Sequence, residues 1–301
     1  MTGSTELVLS VLTVRNATFA HRVLAAAAAG FTGIGLGAAD YLNARRAGFS
    51  EEQLGEYIAR HDLRVMEVEF LRDWWAEADT RGARLEEDLL FYLADLLGAT
   101  RLNVGLFDHV PDDLVDAAFR RLCARAADHG VTIALEFMPY SALRTLERAR
   151  QIIADSGAPN AGLLLDAWHW HRAGGRTDGG EGGNIKELLT LDAAEVVAIQ
   201  LNDAAPKPHA DLRHEGRHLR RLPGEGVIDL SGFLGALRTI GVDVPIGVEV
   251  LSDDLDLLPP VEAARRAART ARRALSPDSY PTSLLDSLPL ALPSHQAATA
   301  R

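Results

Sequence analysis

Apolar runs of strand length alternate with helical patterns through most of the chain. The eight runs are LVLSVLTV (7–14), GIGLGAAD (33–40), RVMEVEFL (64–71), TRLNVGLF (100–107), VTIALEF (131–137), AGLLLDAW (161–168), VVAIQLND (196–203) and PIGVEVLS (245–252). After each run, apolar residues recur at the spacing of a helix. Repeated strand–helix units require parallel strands, and eight units in about 275 residues predict a single closed (β/α)₈ TIM barrel. An open, doubly wound α/β sheet is the alternative, although it usually has fewer units.

The pattern divides the chain into a barrel and a tail. Residues 1–276 contain all eight units, and we predict that they form the barrel domain. Residues 277–301 are rich in Ser, Pro, Leu and Ala without a clear period. We expect this C-terminal tail to wrap the barrel or to be partly disordered. A hydrophobic content of 47% supplies enough apolar surface for a full core.

Charge and cysteine content limit the classes of partner. The formal net charge of −11 opposes a duplex-binding surface, so we expect no nucleic acid partner. No run reaches the length of a membrane span, and no basic region precedes the N-terminal apolar run, so we expect no membrane association. The single cysteine, Cys123, cannot form an internal disulfide. These features favour a cytoplasmic protein.

Each of the last four apolar runs carries one oxygen-donor side chain where the apolar stretch ends. These side chains are Glu136, Asp166, Gln200 and Glu249. Because the carboxyl ends of barrel strands form the active-site face, we expect the four to converge. Three carboxylates and an amide are best tolerated together around a divalent cation. An oxygen-rich set without cysteine suits Mn²⁺ or Mg²⁺, with Co²⁺ and Zn²⁺ as alternatives.

On these segments the chain resembles the xylose-isomerase-like barrel superfamily. That group contains sugar isomerases and epimerases, inosose and 3-dehydroshikimate dehydratases, and endonuclease IV. The resemblance covers about residues 5–275 and rests on ALEF, LLLDAWH, IQLND, RLPGEGVIDL and VEV. It implies Glu136, Asp166 and Glu249 as metal ligands. Gln200 departs from the family pattern, in which histidine is more common at this position. In having a glutamine here, the chain resembles the 3-dehydroshikimate dehydratase branch.

The resemblance also implies a role for His169, three residues after Asp166. The family places a histidine there that contacts the substrate or transfers a proton, and the ordinary pKa of histidine suits such work near neutral pH. A buried packing role for His169 is the alternative. Glu136 and Glu249 are predicted to be catalytic as well as metal ligands, because either carboxylate could act as the base.

The predicted site favours chemistry next to a carbonyl group. A hard cation polarises a hydroxyketone, the neighbouring C–H becomes acidic, and the resulting enediolate is stabilised. We therefore predict a metal-dependent isomerase or epimerase acting on a keto-sugar, cyclitol or related polyol. A β-eliminating lyase, acting on 3-dehydroshikimate, an inosose or a 3-oxo-glycoside, is the alternative because of Gln200.

Two further segments bear on the substrate. The loop after the seventh run is basic, and its cationic side chains are His209, Arg213, His214, Arg217, His218, Arg220 and Arg221. One interpretation is a clamp for a carboxylate or phosphate of the substrate, in which Arg217 and Arg221 contact the substrate. The alternative is a solvated loop. Trp74, after the third run, is either a wall of the substrate pocket or part of the core. The glycine-rich loop at 174–183 is expected to cover the site.

Other classes fit the sequence less well. An abasic-site endonuclease shares the fold but needs histidine ligands from the second and third runs, where GIGLGAAD and RVMEVEF have none. The intact set of oxygen donors opposes a non-catalytic barrel. A homo-oligomer, or a small partner subunit that completes the site, is compatible with the sequence.

Overall fold

A closed barrel of eight parallel strands forms the centre of the protein. The computed structural model describes residues 6–76, 81–174 and 182–276, and its strand order is β1 to β8 without interruption. The strands are β1 (Leu7–Leu9), β2 (Gly33–Gly37), β3 (Arg64–Leu71), β4 (Arg101–Gly105), β5 (Thr132–Glu136), β6 (Ala161–Asp166), β7 (Val196–Leu201) and β8 (Ile246–Val248). This closure confirms the predicted TIM barrel over an open sheet. The predicted tail at 277–301 lies outside the described residues.

Helices follow the strands and surround the barrel. They are α1 (Phe19–Ala29), α2 (Ala38–Arg46), α3 (Glu51–Ala59), α4 (Arg81–Leu97), α5 (Asp112–Asp128), α6 (Leu146–Ser156), α7 (Ala167–Ala173), α8 (Ile185–Leu188), α9 (Leu212–His218), α10 (Leu230–Thr239), α11 (Asp253–Asp256) and α12 (Pro260–Leu275). Most of the glycine-rich loop between α7 and α8 lies outside the described residues. Among the helices described, none is long and apolar enough to cross a membrane.

Most strands are shorter than the apolar runs that predict them. After β1, Ser10 Oγ accepts the Leu12 N–H at 3.2 Å, and the Ser10 carbonyl accepts the Thr13 N–H at 3.2 Å. Such local bonds compete with the sheet ladder. After β2, Asp40 Oδ2 accepts the Gly37 N–H at 3.1 Å, so α2 starts directly. Polar side chains at the run ends therefore start turns and helices that hydrophobicity alone does not predict.

Alternation along the strands separates the outer core from the barrel interior. Outward side chains pack against the helices, and α12 contributes a buried alanine stripe there. Inside the barrel, Ala134, Leu164 and Ala198 form a small apolar layer of their own. Because side chains two residues apart point to the same face of a strand, the residue two positions later on each strand also points inward. Those residues are Glu136, Asp166 and Gln200.

On the side of β3 and β4 the barrel interior is polar, and its paired groups lie deeper than the strand ends. Arg101 Nη2 lies 2.6 Å from Glu67 Oε2, and Asn103 Nδ2 donates to the same oxygen at 3.0 Å. Glycines of β2 leave room for the acidic side chains of β3. A Cβ added at Gly35 would lie 2.1 Å from Glu69 Oε1. The barrel therefore holds buried acidic groups on both sides of its axis.

Candidate active site

The four predicted oxygen donors lie together at the C-terminal mouth of the barrel. Glu136 and Asp166 are the last residues of β5 and β6, Gln200 is the last but one of β7, and Glu249 directly follows β8. The strand register pairs Asp166 with Gln200, and Gln200 with Gly247. All four side chains are buried. Tertiary structure thus places these sequence-distant residues at one level of the barrel.

An arginine that the sequence did not single out lies among these carboxylates. Arg220 Nη1 donates to Asp166 Oδ2 at 2.8 Å and to Glu249 Oε2 at 3.1 Å. Its Nη2 atom lies 3.1 Å from His169 Nε2. Arg220 is 3% exposed, so its charge is nearly desolvated and offsets part of the negative charge of the site.

His169 lies against Glu136 inside the same group. The His169 Nε2 and Glu136 Oε1 atoms are 3.2 Å apart. Asp166 Oδ1 accepts the His169 backbone N–H at 2.8 Å, because Asp166 caps the N-terminus of α7. One ligand atom from each of Glu136, Asp166 and His169 lies within 4.8 Å of the other two. His169 is therefore placed both for proton exchange with Glu136 and among the candidate ligands.

The donor set fits a hard divalent cation. Glu136 Oε1 and Gln200 Oε1 are buried, and neither accepts a hydrogen bond from any described residue, since His169 Nε2, although 3.2 Å from Glu136 Oε1, faces Arg220 Nη2 at 3.1 Å. A buried acceptor left without a donor costs about 1–3 kcal/mol. Gln200 Nε2 donates to Glu249 Oε1 at 3.1 Å, which fixes the amide and leaves its oxygen free. Three carboxylates exceed the charge of one guanidinium, so a cation would satisfy both the charge and the unpaired oxygens.

Burial is the largest cause of the pKa shifts in the site. It raises the pKa of Glu136 and raises the pKa of Glu249 to about 8, with Arg220 acting in the opposite direction on both. Burial also lowers the pKa of His169 to about 4, because the imidazolium loses its hydration. Without a bound cation, the site therefore favours the neutral forms of these groups.

Asn202 orients Asp166 and the backbone around the site. Its Nδ2 donates to Asp166 Oδ2 at 2.5 Å and to the Glu249 carbonyl at 3.2 Å, and its Oδ1 accepts the Trp168 N–H at 2.8 Å. Asn202 thereby ties the ends of β6 and β8 to the start of α7. One signal in the sequence indicates this role, namely an amide at the end of an apolar run.

Ser10 and Glu69 extend the network into the first half of the barrel. Ser10 Oγ lies 3.2 Å from Glu249 Oε1 and 3.4 Å from Glu69 Oε1, and the Val11 N–H donates to Glu69 Oε1 at 3.0 Å. Burial raises the pKa of Glu69, and repulsion from Glu67 and Glu249 adds to the shift. The sequence analysis predicted neither residue. For Glu69 the reason is that alternating polar residues in RVMEVEFL also suit a strand with one solvated face.

The short helix α9 covers one side of the site, and Arg220 follows it by two residues. Glu215 on α9 is buried, and its Oε1 accepts from Arg172 Nη2 at 2.7 Å and from Trp168 Nε1 at 3.3 Å. Arg220 Nε donates to the Gly216 carbonyl at 2.7 Å. These bonds hold α9 on α7, so the position of Arg220 is set by packed structure.

The predicted substrate contacts of Arg221 and Trp74 are not supported by their positions. Arg221 is exposed, and its Nη1 donates to the Glu225 carbonyl at 3.2 Å, so its neighbour Arg220 enters the site instead. Trp74 is 1% exposed. Its indole N–H donates to the Gly105 carbonyl at 2.8 Å, and its ring packs edge-on against Phe119. These contacts give Trp74 a packing role.

Arg217, the third predicted substrate contact, lies at the rim. It is half-buried on α9, and its carbonyl accepts from Arg15 Nη1 at 2.6 Å. Burial lowers the pKa of Arg217, and the nearby charges of Arg72, Arg213 and Arg15 add to that shift. The region around Arg217 is therefore strongly cationic.

The chain belongs to a known barrel family. The family described as "Xylose isomerase-like TIM barrel" matches residues 23–274. A solved structure of the IOLI protein, described as having a binding zinc atom, has a TM-score of 0.77 at 23% identity and covers 92% of this chain and 99% of that one. That similarity supports the fold.

Curated relatives are enzymes. The inosose isomerase of Bacillus subtilis (strain 168) is 33% identical over 147 residues, which are 48% of this chain and 49% of that protein. The 3-dehydroshikimate dehydratase of Pseudomonas aeruginosa is 27% identical over 258 residues, which are 83% of this chain and 39% of that protein. The match thus spans half or less of the length of these relatives. They support an enzyme of the isomerase, epimerase or lyase kind.

Proposed function

We propose that this protein is a divalent-metal-dependent enzyme that removes a proton next to the carbonyl of a keto-sugar, cyclitol or related polyhydroxy ketone, and so isomerises or epimerises it. The observation that carries the proposal is the meeting of four buried oxygen donors from β5 to β8, two of which have an oxygen without a hydrogen-bond donor. The kinds of enzyme named among the relatives support the same conclusion.

Glu136, Asp166, Gln200 and Glu249 would hold the cation, and their oxygens favour Mn²⁺ or Mg²⁺, with Co²⁺ and Zn²⁺ as alternatives. The bound cation would polarise the substrate carbonyl and lower the cost of removing the adjacent proton. Because the site is buried, water competes little with the substrate for these groups.

The protein's own groups supply the proton transfer. Glu136 and Glu249 are the candidate bases, since each has a carboxylate oxygen in the site. His169 Nε2, 3.2 Å from Glu136 Oε1, is placed to exchange a proton with that carboxylate. Arg220 presents a desolvated guanidinium to the same space, where it stabilises negative charge that develops on a substrate oxygen.

Elimination of a β-leaving group is the second candidate, and two observations favour it. Gln200 stands where histidine is more common in the family, and the 3-dehydroshikimate dehydratase aligns with 83% of this chain. A lyase of this kind would act on 3-dehydroshikimate, an inosose or a 3-oxo-glycoside with the same base and cation. A small partner subunit, a homo-oligomer, the absence of a nucleic acid partner and a cytoplasmic location stay predictions.

Proton exchange and product formation test the proposal together. Purified protein is assayed for bound metal and then incubated in D₂O with inososes, ketoses and 3-dehydroshikimate, and each mixture is followed by NMR. We expect deuterium to enter beside the carbonyl of one of these compounds, and we expect a chelator to stop the exchange. A new ketone or epimer supports isomerisation, and loss of water supports elimination.

Two results would contradict the proposal. One is full exchange activity in protein from which metal has been stripped, because the cation would then be dispensable. The other is a metal-loaded protein that exchanges no proton in any of these compounds, because the predicted class of substrate would then be wrong.

A further inference from the structure

A cationic cluster lies at the mouth of a barrel whose chain has a formal charge of −11. Arg72 directly follows β3, and its charge is close enough to act on that of Arg217; Arg213 and Arg217 lie four residues apart on α9. Side chains at this spacing lie on one face of a helix. Arg15, whose Nη1 reaches the Arg217 carbonyl, brings a fourth guanidinium to the same region.

The members of this cluster differ in how their charge is balanced. Arg15 pairs with Asp253 at 2.7 Å and also with Asp256. In the described ranges no carboxylate lies within 4.0 Å of Arg213 or Arg217. Arg217 is also half-buried, so it has lost part of its hydration without gaining an acidic partner. Such a group is costly unless an anion joins it.

Close packing places Arg217 at the edge of the active site. A Cβ added at the preceding residue, Gly216, would lie 2.9 Å from Tyr140 Cε1 and 3.1 Å from the Trp168 ring. The Tyr140 ring centroid is in turn 5.5 Å from that of His169. Helix α9 therefore packs at Gly216 against the aromatic residues that border His169, and Arg217 is the next residue of that helix.

Helix α9 is anchored by hydrogen bonds, so this cluster differs from the basic side chains of a solvated loop. Glu215 is buried and accepts from Arg172 and Trp168, and its Oε2 accepts the His209 N–H at 2.7 Å. A helix held in this way fixes the backbone from which Arg213 and Arg217 project. A fixed guanidinium loses less entropy on binding an anion than one on a mobile loop.

We propose that Arg217, with Arg72 and Arg213, binds an anionic group of the substrate, either a carboxylate or a phosphate monoester. The proposal rests on the proposed function, because it assigns a substrate class to the same site. The substrate is then an anionic polyhydroxy ketone, whose reacting end lies among the carboxylates and whose charged end lies at the rim. A planar guanidinium binds both kinds of anion through two parallel hydrogen bonds.

Matched pairs of small ligands test the charge requirement. Isothermal titration of the metal-loaded protein compares 3,4-dihydroxybenzoate with catechol, and dihydroxyacetone phosphate with dihydroxyacetone. Within each pair only the anionic group differs. We expect the anionic member of one pair to bind at least about tenfold more tightly, as for a charge-assisted hydrogen bond. The pair that shows the preference identifies a carboxylate or a phosphate.

Variants assign that preference to Arg217. Arg217→Ala should lower the affinity for the anionic member by about tenfold and leave that for the neutral member unchanged, and Arg217→Lys should recover part of the loss. Arg120→Ala is the control, since Arg120 is exposed on α5 and donates to the Asp155 carbonyl. Circular dichroism checks that each variant is folded.

Equal binding of both members in both pairs would overturn the proposal, and so would an anion preference that Arg217→Ala leaves intact. Failure of the proposed function has a different signature. In that case deuterium exchange is absent and Asp166→Asn does not weaken the binding of the neutral diols. The preference for the anionic ligand still depends on Arg217.

Discussion

The two halves of the barrel interior both bury acidic groups, but they balance them in different ways. In the half built from β1 to β4, Glu67 is paired with Arg101, which is itself a strand residue. In the half built from β5 to β8, Asp166 and Glu249 are paired with Arg220, which comes from the connection after α9. Arg101 therefore belongs to a strand of the barrel, whereas Arg220 belongs to a connection.

This difference indicates which acidic groups stabilise the fold and which serve chemistry. A strand-borne cation cannot leave without opening the sheet, so the Glu67–Arg101 pair is fixed. Arg220 is also held in place, by Gly216 and the carboxylates, but it comes from a connection, and binding residues of barrels come from such connections. The Ser10–Glu69 contact joins the two halves, because Ser10 Oγ lies within 3.4 Å of both Glu69 and Glu249.

The largest expected effect is on the β5 to β8 half, through Glu249. Glu249→Gln removes a candidate base and metal ligand but keeps the shape of the side chain. We expect turnover of the substrate found in D₂O to fall by about 10²–10⁴-fold, with weaker metal binding and a folded protein. Kinetics and metal titration measure both changes. Glu262→Gln, at a partly exposed position of the outer helix α12, is the control, and unchanged turnover in Glu249→Gln would remove Glu249 from the site.

An intermediate effect is expected in the β1 to β4 half, and it should appear in stability. Glu67→Ala leaves the Arg101 guanidinium buried without its partner, and we expect the free energy of unfolding to fall by about 3–5 kcal/mol. Glu6→Ala removes the exposed partner of Arg64 and should cost less than about 1 kcal/mol. Urea denaturation compares the two. Similar losses in both variants would contradict the structural role assigned to Glu67.

The smallest effect concerns the space that β2 leaves for the acidic side chains of β3. A Cβ at Gly35 would lie 2.1 Å from Glu69 Oε1 and 3.3 Å from Glu67 Oε1. We expect Gly35→Ala to destabilise the protein by about 1–3 kcal/mol, because a buried side chain must shift. Gly55→Ala on α3 meets no atom within 4 Å and should be neutral or stabilising. Thermal denaturation of both variants would show whether this space is needed.

Much of the fold could be predicted from the sequence, because each strand carries its own hydrophobic signal. Glu136, Asp166, Gln200 and Glu249 were accessible in the same way, since each interrupts or ends an apolar run. Their meeting at one level of the barrel follows the expected rule for strand ends. Their metal and catalytic roles stay predictions.

Other parts of the site could not be predicted from local pattern. Arg220 and Arg221 are adjacent and chemically identical, yet only Arg220 enters the site. Glu69 alternates with apolar neighbours, so its pattern does not distinguish the barrel interior from solvent. Trp74 follows a strand as a pocket residue would, but the Gly105 carbonyl and Phe119 hold it in the core.

The sequence by itself determined the order of the strand–helix units and the oxygen donors at the strand ends, because hydrophobic periodicity and strand polarity act over a few residues. Tertiary structure alone decided that Arg220 lies between Asp166 and Glu249, that Ser10 connects Glu249 to Glu69, and that Gly216 packs against Tyr140. These contacts join residues that lie far apart in the chain. Their energies depend on shared burial, which no local stretch of sequence contains.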